Sequence, residues 1–528
     1  MIHQSPLPDV EIPDLALTEY VLGGGAGQPA KPALIDGASG RVLTYGALEH
    51  AIGSLAGGLA AAGFGPGDVL ALMAPNMPEY AVVFHGVAVA GGTITTINPA
   101  YTEREVHHQL ADSGARILVT IAPLMDAAVR ACAGTAVSEV YVLGAAGDAE
   151  PRQRDGRAVA VRPLSVLSDA RPIEQVPVGP DDVVALPYSS GTTGLAKGVM
   201  LTHRNLVANV AQTLGAIPPA PDDVIMAVLP FFHIYGMQVM MNCGLRGGGT
   251  VVTLPRFDLE EFLRVHQDYR ITRSFLAPPI VLALARHPMV DEFDLSHVRL
   301  MNSGAAPLKA ELAMEAGKRL GCEVVQGYGM TELSPVSHQT PAGRFRPGSV
   351  GITAPNTETL IVDPTTGTDL GADEEGEVWV RGPQVMKGYL NNPTATAATL
   401  DANGWLHTGD LGYIDADGHL YIVDRLKELI KYKGFQVPPA ELEAVLLRHP
   451  DVTDAAVIGV PDDAAGEVPV GYVVLTPGAT ASTEQILRFV AGEVAHYKQI
   501  RRLEVIDAIP KSAAGKILRR ELRALART

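Results

Sequence analysis

The stretch Tyr188-Ser-Ser-Gly-Thr-Thr-Gly-Leu-Ala-Lys-Gly198 follows directly on the apolar run Val183–Leu186. A short apolar run that breaks into a Gly-rich segment reads as a buried strand delivering a loop. Tyr188 to Lys197 contains two glycines, four serine or threonine hydroxyls and one lysine, so amides and side-chain donors can wrap phosphate oxygens. It is not a Walker A loop, which needs Gly-Lys-Ser/Thr; here Ala196 precedes Lys197 and Gly198 follows it. Taken alone, the decapeptide is as readily a flexible loop as a phosphate cradle.

Upstream, Val42 to Ile97 alternates helix-period segments such as His50 to Ala62 with short apolar runs such as Val69 to Met73. This βα rhythm calls for a parallel sheet covered on both faces. Residues 143 to 180 are poor in large apolar side chains; Ala158 to Val161 and Leu164 to Leu167 resemble short strands in an otherwise surface segment. Downstream, βα alternation resumes from Val183 to about Gly329. Gly351 to Tyr421 then reads as short antiparallel strands, with Asp417-Gly418 suited to a hairpin. After Arg425 a Lys-rich segment, Lys427 to Lys433, leads to Gly434 and a helix opened by Pro439, with Leu442, Val445 and Leu446 on one face. A terminal α+β domain of about 100 residues fits this pattern.

The 528 residues suit two to four domains, and a charge of −17 disfavours a sequence-independent grip on nucleic acid. Cys132, Cys243 and Cys322 are too few and too dispersed for a disulfide framework or zinc cluster; they read as small buried side chains in a reducing compartment. Met1 to Asp14, with three prolines and three acidic residues, is no secretory signal. The most apolar window, Ala81 to Ala90, is half a membrane span in length. A soluble cytoplasmic protein without a membrane span is expected.

Further blocks follow in order: Phe231-Phe-His-Ile-Tyr235, Asn302-Ser-Gly-Ala-Ala306, Gln326-Gly-Tyr-Gly-Met-Thr-Glu332, Gly376-Glu-Val-Trp-Val-Arg-Gly382, Trp405-Leu-His-Thr-Gly-Asp410, Asp424-Arg425, Lys431-Tyr-Lys-Gly434 and Pro510-Lys-Ser-Ala-Ala-Gly-Lys516. With Ser189 to Val199 they resemble the signatures of the adenylate-forming (AMP-binding) superfamily, which spans acyl-CoA synthetases, luciferases and peptide-synthetase adenylation domains. The chain looks most similar to 4-coumarate-CoA ligases, chiefly through His233-Ile-Tyr235 and the first signature. Trp379 departs from the plant pattern, which has Cys there.

The resemblance implies an α/β fold: an N-terminal domain, 1–426, of αβ layered sheets with a small antiparallel barrel-like subdomain, and a small mobile C-terminal α+β domain, 427–528. It implies ATP-dependent acid-CoA ligation, with ATP, Mg²⁺ and CoA and a cinnamate-type acid as substrate. Ser189, Ser190, Gly191, Thr192, Thr193, Gly194 and Lys197 then surround the β- and γ-phosphates. Gln326, Gly327 and Tyr328 lie beside adenine, Thr331 on the α-phosphate and Glu332 on the metal. Asp410 and Arg425 hold the ribose, Lys427 is the hinge, and Lys516 reaches the carboxylate and α-phosphate during adenylation. Lys431 turns towards the adenylate in the thioester-forming state, with Arg256, Lys433 and Gly434 along CoA. His233, Tyr235, Val239, Asn302, Ala305, Gly327, Pro335, Val336 and Gln339 line the acyl pocket, His233 as its gate; Val239 and Asn302 depart from the plant pattern.

Some residues have plainer readings. Arg519, Arg520, Arg523 and Arg527 fall at helical spacing, which suits a solvated basic face. His107-His108 lack a nearby ligand set and read as surface or core histidines. A lysine acetyltransferase acting on Lys516 would remove the charge adenylation needs. Competing functions are a medium- or long-chain fatty acyl-CoA synthetase, a luciferase-like oxygenase, an enzyme loading a separate carrier protein, and a non-catalytic ATP-binding protein. With no segment after Thr528, a built-in carrier domain is not expected.

Overall fold

The βα rhythm between Val42 and Ile97 takes the form of strand Val69–Met73, helix Pro78–Val89 and strand Thr93–Thr96, the strands parallel with Leu70 opposite Ile94. Pro78 opens the helix at a position where its missing N–H costs nothing, and all of its residues except Glu79 are buried. That explains its apolar composition without a bilayer: among the described residues no helix is long and apolar enough to cross a membrane. The computed structural model describes residues 1–144, 152–154, 157–189, 196–433, 435–462, 465–512 and 515–526.

Among the described residues, five sheets organise the chain. The first places parallel strands Val183–Ala185, Thr93–Thr96, Val69–Met73, Ile117–Ile121, Glu139–Leu143 and Arg157–Pro163 side by side. The second, of seven strands, runs Glu323–Gln326, Leu300–Ser303, Arg273–Leu276, Val224–Ala227, Thr250–Thr253 and Pro32–Asp36 in parallel, with Val42–Thr44 antiparallel at its edge. Parallel strands end on one side of their sheet, and the loops leaving those ends form the natural crevice for a ligand. Here Ala185 leads into the signature loop, Ala227 into His233 and Tyr235, Ser303 into Ala305, and Gln326 into Tyr328.

The expected antiparallel stretch is a curled five-stranded sheet in the order His3–Gln4, Glu358–Val362, Gly376–Arg381, Leu406–Ile414, Leu420–Arg425. Gly418 closes the last hairpin with φ +85°. A three-stranded ribbon, Tyr328–Gly329, Val336–Gln339 and Ile352–Thr353, joins it to the parallel layers.

The terminal sheet centres on the hairpin Val452–Asp462 with Gly466–Leu475, and adds Ile430–Tyr432 and Arg502–Val505. Its separate core gathers Leu442, Val445 and Leu446 of helix Pro439–Leu446, the face expected from their spacing, against Val457, Val473 and Ile486.

Two expectations need correction. Leu164 to Leu167 forms a helical turn, Ser165–Ser168, and not a strand. Leu164 and Leu167, three apart and both buried, pack on helix Tyr45–Ala61, where a Cβ at Gly58 would lie 2.1 Å from the Leu167 carbonyl oxygen. The glycine therefore admits a segment that composition alone assigns to the surface. The basic face also differs: Arg519 pairs with Glu443 at 2.6 Å and Arg523 with Glu428 at 2.6 Å, so two of the four arginines tie the last helix down. Arg520 is exposed, and Arg527 lies outside the described residues.

Candidate active site

Asp410 and Arg425 face each other across adjacent strands, so the sheet register brings the carboxylate and guanidinium together at 2.9 Å. The second Asp410 oxygen accepts from the Tyr328 hydroxyl at 2.6 Å, and Asp410 is only 3% exposed. Burial, reinforced by the Asp410 charge, pushes the Tyr328 phenol well up, so it remains a donor. Glu377 accepts from the Gly409 N–H at 3.0 Å and from Trp379 Nε1 at 2.8 Å, fixing the turn that carries Asp410.

A second polar cluster surrounds Glu332, itself 5% exposed. Its Oε1 accepts from Ser189 Oγ at 2.9 Å and from the Tyr389 hydroxyl at 2.8 Å. Lys197 Nζ lies 4.1 Å above the centre of the Tyr389 ring, a cation–π contact. The pairing of Lys197–Thr202 with Gly388–Tyr389 produces this assembly, with Val199 opposite Tyr389. Burial first, then the Glu332 charge, raises the Tyr389 phenol. His108 supports the strand end, its Nε2 lying 3.1 Å from the Ala196 carbonyl oxygen.

Lys516 enters this space from the terminal unit. Ser512 N–H donates to the Lys516 carbonyl at 2.8 Å, and Lys516 N–H donates to Ser512 Oγ at 3.2 Å, closing a tight turn. Gly515 has φ +81° there, a conformation that favours glycine, and a Cβ on it would sit 3.4 Å from Pro279. Burial, then the charge of Arg425, brings the Lys516 ammonium down to about 8, while Asp410 and Glu428 oppose the shift. The same ammonium acts on His233, which burial and Lys516 together lower to about 4. His233 is therefore neutral at pH 7, with Nδ1 accepting from the Tyr235 N–H at 3.3 Å.

Tyr235, two residues after His233, packs against the backbone of strand Leu300–Ser303. Its hydroxyl donates to the Asn302 carbonyl at 3.3 Å, and its ring lies where a Cβ on Gly304 would come within 2.9 Å. Gly304 thus lets the ring lie against the backbone. Phe275 stands edge-on to Tyr235, with ring centres 6.5 Å apart. A Cβ placed on Gly327 would be 3.6 Å from Asn302 Oδ1. Val239, Pro335, Val336 and Gln339 are buried, whereas Ala305 is exposed with φ +68°.

Several expected residues lie apart from this assembly. Gln326 is spent on structure, its Oε1 accepting from Leu308 N–H at 2.9 Å. Arg256, Lys427, Lys431 and Lys433 are exposed. Ser190, Gly191, Thr192, Thr193, Gly194 and Gly434 lie outside the described residues. Tyr389, Glu377 and Phe275 were not anticipated; Glu377 sits inside a quoted block, but only strand pairing reveals what Tyr389 and Phe275 face.

A profile for AMP-binding enzymes matches residues 24–390, and one for the C-terminal domain of AMP-binding enzymes matches 441–516. The chain belongs to the AMP-binding enzyme family. Among its relatives are 4-coumarate–CoA ligase 3 of Oryza sativa subsp. japonica, 46% identical over 99% of this chain and 95% of the relative, and 4-coumarate–CoA ligase 2 of Nicotiana tabacum, 45% identical over 99% and 97%. The fold matches ATP-bound MatB from Rhodopseudomonas palustris, with TM-score 0.88 and 31% identity over 97% of this chain and 99% of that one. It also matches the anthranilate CoA ligase AuaEII in complex with anthranoyl-AMP, with TM-score 0.87 and 25% identity over 97% and 98%. In this AMP-binding enzyme Asp410 and Arg425 pair, and Lys516 lies close enough for the charges of both to act on it.

Proposed function

We propose that this enzyme is an ATP-dependent carboxylic acid–CoA ligase that forms an acyl-adenylate and then an acyl-CoA thioester, with 4-coumarate or a related cinnamic acid as substrate. The observation that carries the reading is that Lys516, from the terminal unit, lies within electrostatic reach of the Asp410–Arg425 pair and of His233.

A carboxylate is a poor acylating agent because oxide is a hopeless leaving group. Attack of its oxygen on the α-phosphorus of ATP, with pyrophosphate leaving, converts that oxygen into part of a good leaving group. Lys516 places positive charge between carboxylate and α-phosphate as they approach. Thr331 assists on the α-phosphate, and Asp410 accepts from the ribose hydroxyls. Ser189 to Gly194 and Lys197 hold the β- and γ-phosphates, with Tyr328 and Gly327 beside adenine.

A Mg²⁺ ion fits the donor set. Among the described residues no group of three or more His, Cys, Asp or Glu could hold a metal, but Glu332 offers one buried carboxylate next to the phosphate loop. Mg²⁺ commonly takes one or two carboxylates and completes its shell with substrate phosphates and water. When bound it neutralises phosphate charge. Tyr389 and Ser189 hold Glu332 in orientation.

For the second half-reaction the CoA thiolate attacks the acyl carbonyl and AMP leaves. Rotation of the terminal unit about Lys427 withdraws Lys516 and brings Lys431, Lys433 and Gly434 round, with Arg256 towards the CoA phosphates. The same rotation would expose the half-buried Lys516 to an acetyltransferase. His233, neutral at pH 7 with Nδ1 accepting from Tyr235 N–H and its one ring proton on Nε2, closes the acyl pocket without charge.

The test is acid- and CoA-dependent AMP formation with cinnamate, 4-coumarate, ferulate, benzoate, hexanoate, octanoate and palmitate. The reading expects the highest kcat/KM for a cinnamate. Preference for alkyl acids would transfer the enzyme to the fatty acid activators, and pyrophosphate release with no acid at all would overturn ligation altogether.

A further inference from the structure

Helix Pro439–Leu446 of the terminal unit is left incomplete at both ends by its own sequence. At its start Pro438, in the capping position, has no side-chain oxygen to accept from the first turn. Asp424, the penultimate residue of strand Leu420–Arg425, takes that place: its Oδ2 accepts from the Ala440 N–H at 2.9 Å, and its Oδ1 from the Arg425 N–H at 2.7 Å. At the other end the N–H groups of Leu447, Arg448 and His449 donate to the carbonyls of Glu443, Val445 and Leu446, passing over Ala444. Among the described residues, the bond to the Ala444 carbonyl comes from Lys309 Nζ, at 2.7 Å. Lys309 is half-buried, and burial lowers its ammonium to about 8, which leaves it charged at pH 7. An anion at the first turn and a cation at the last both match the helix dipole. Both capping residues precede Lys427 in the chain, and the helix follows it.

We propose that Lys309 is a positioning residue for adenylation: together with Asp424 it caps the two ends of helix Pro439–Leu446, and so seats the terminal unit with Lys516 in the crevice. The inference rests on the adenylation role assigned to Lys516. Lys309 is itself anchored, because Gln326 Oε1 holds the N–H of the preceding Leu308 at 2.9 Å and helix Ala310–Leu320 begins directly after it. From the capped helix the restraint runs on to the lysine: Glu443 pairs at 2.6 Å with Arg519, three residues beyond Lys516. Gly515 closes the circuit, since a Cβ on it would lie 3.4 Å from Pro279 and 3.5 Å from Ala277 of the N-terminal unit. Rotation about Lys427 breaks both caps, so the clamp favours the first half-reaction and slows departure to the second.

The experiment compares the full chain as wild type, Lys309→Met, which keeps the apolar stem, and Lys309→Arg, which keeps a cationic donor. Adenylation of 4-coumarate and of octanoate is measured without CoA, and the second half-reaction from supplied coumaroyl- or octanoyl-adenylate with CoA. Hydrogen exchange of the ligand-free chain reads the clamp directly at the Ala440 amide, resolved by overlapping peptides. Lys309→Met should lower kcat for adenylation on the order of tenfold with the KM for ATP unchanged, while thioester formation holds or rises. Exchange at Ala440 should quicken about tenfold, with the hairpin Val452–Asp462 and Gly466–Leu475 as protected as in the wild type. Lys309→Arg should stay within about threefold of the wild type in every readout. The proposal is overturned if Ala440 exchange does not change, if an active enzyme keeps its adenylation rate, or if Lys309→Arg recovers nothing. Equal losses in both half-reactions, or faster exchange throughout the hairpin, also overturn it, since they mark a merely structural role. If the wild type adenylates neither acid, the ligase reading falls, and exchange at Ala440 still decides whether Lys309 holds the helix.

Discussion

The two sides of the crevice that the proposed function assigns to nucleotide and acid are built on opposite principles. Around Asp410 and Glu332, buried carboxylates are matched by donors at 2.6 to 2.9 Å from Tyr328, Arg425, Ser189 and Tyr389. Around Tyr235 the shape comes from packing: an aromatic ring on a glycine and an edge-on phenylalanine. A buried charge tolerates few substitutes because an unpaired partner costs its desolvation, whereas an apolar wall can be repacked for a modest cost. The chemistry is therefore held rigidly and the choice of acid is adjustable.

That contrast can be broken in graded steps. Lys516→Ala should cut adenylation on the order of 10³-fold, yet leave conversion of supplied acyl-adenylate and CoA to thioester within about fivefold. Measured separately, equal losses in both halves would place Lys516 in a merely structural role. Asp410→Asn removes an anionic acceptor and leaves Arg425 unpaired, so kcat/KM for ATP should fall about 100-fold; an unchanged ATP dependence would detach Asp410 from the nucleotide.

Tyr389→Phe removes one donor from Glu332 and should cost about tenfold in adenylation, with a raised requirement for Mg²⁺. Tyr235→Leu should act on the other side alone, lowering kcat/KM for cinnamates about tenfold while the KM for ATP stays constant. A shifted ATP KM in Tyr235→Leu would deny the separation of the two sides.

The smallest effect is in pH dependence. Lys516 is brought down to about 8 by burial and Arg425, and its charged form is the one the proposed adenylation role requires. Charge is present below that value and lost above it. Adenylation kcat/KM should therefore decline by a few fold from pH 7.5 to 8.5, while the thioester half-reaction follows the CoA thiol and rises over the same interval. His233, lowered to about 4, should contribute no inflection above pH 5.

The same contrast explains what was legible in the sequence. Asp410, Glu332, Lys197 and Lys516 stand in short motifs because each needs a specific residue at a specific backbone position. The βα rhythm and the hairpin at Asp417-Gly418 were equally readable, being local. Tyr389 was not, since its role depends on Gly388–Tyr389 pairing with Lys197–Thr202 almost two hundred residues earlier in the chain. Phe275 was hidden for the same reason: its place beside Tyr235 results from strand register and helix packing, which one sequence does not display. Arg519 and Arg523 were misread because spacing reveals a helix face but not the glutamates facing it.

The most direct test is a crystal structure of the full chain with a non-hydrolysable coumaroyl-adenylate analogue. The ribose hydroxyls should lie within hydrogen-bond distance of Asp410, Lys516 Nζ on the acyl–phosphate junction, and the phenyl ring against Tyr235. A ring bound elsewhere, or a ribose away from Asp410, would contradict the division of the crevice into a polar nucleotide side and a packed acyl side.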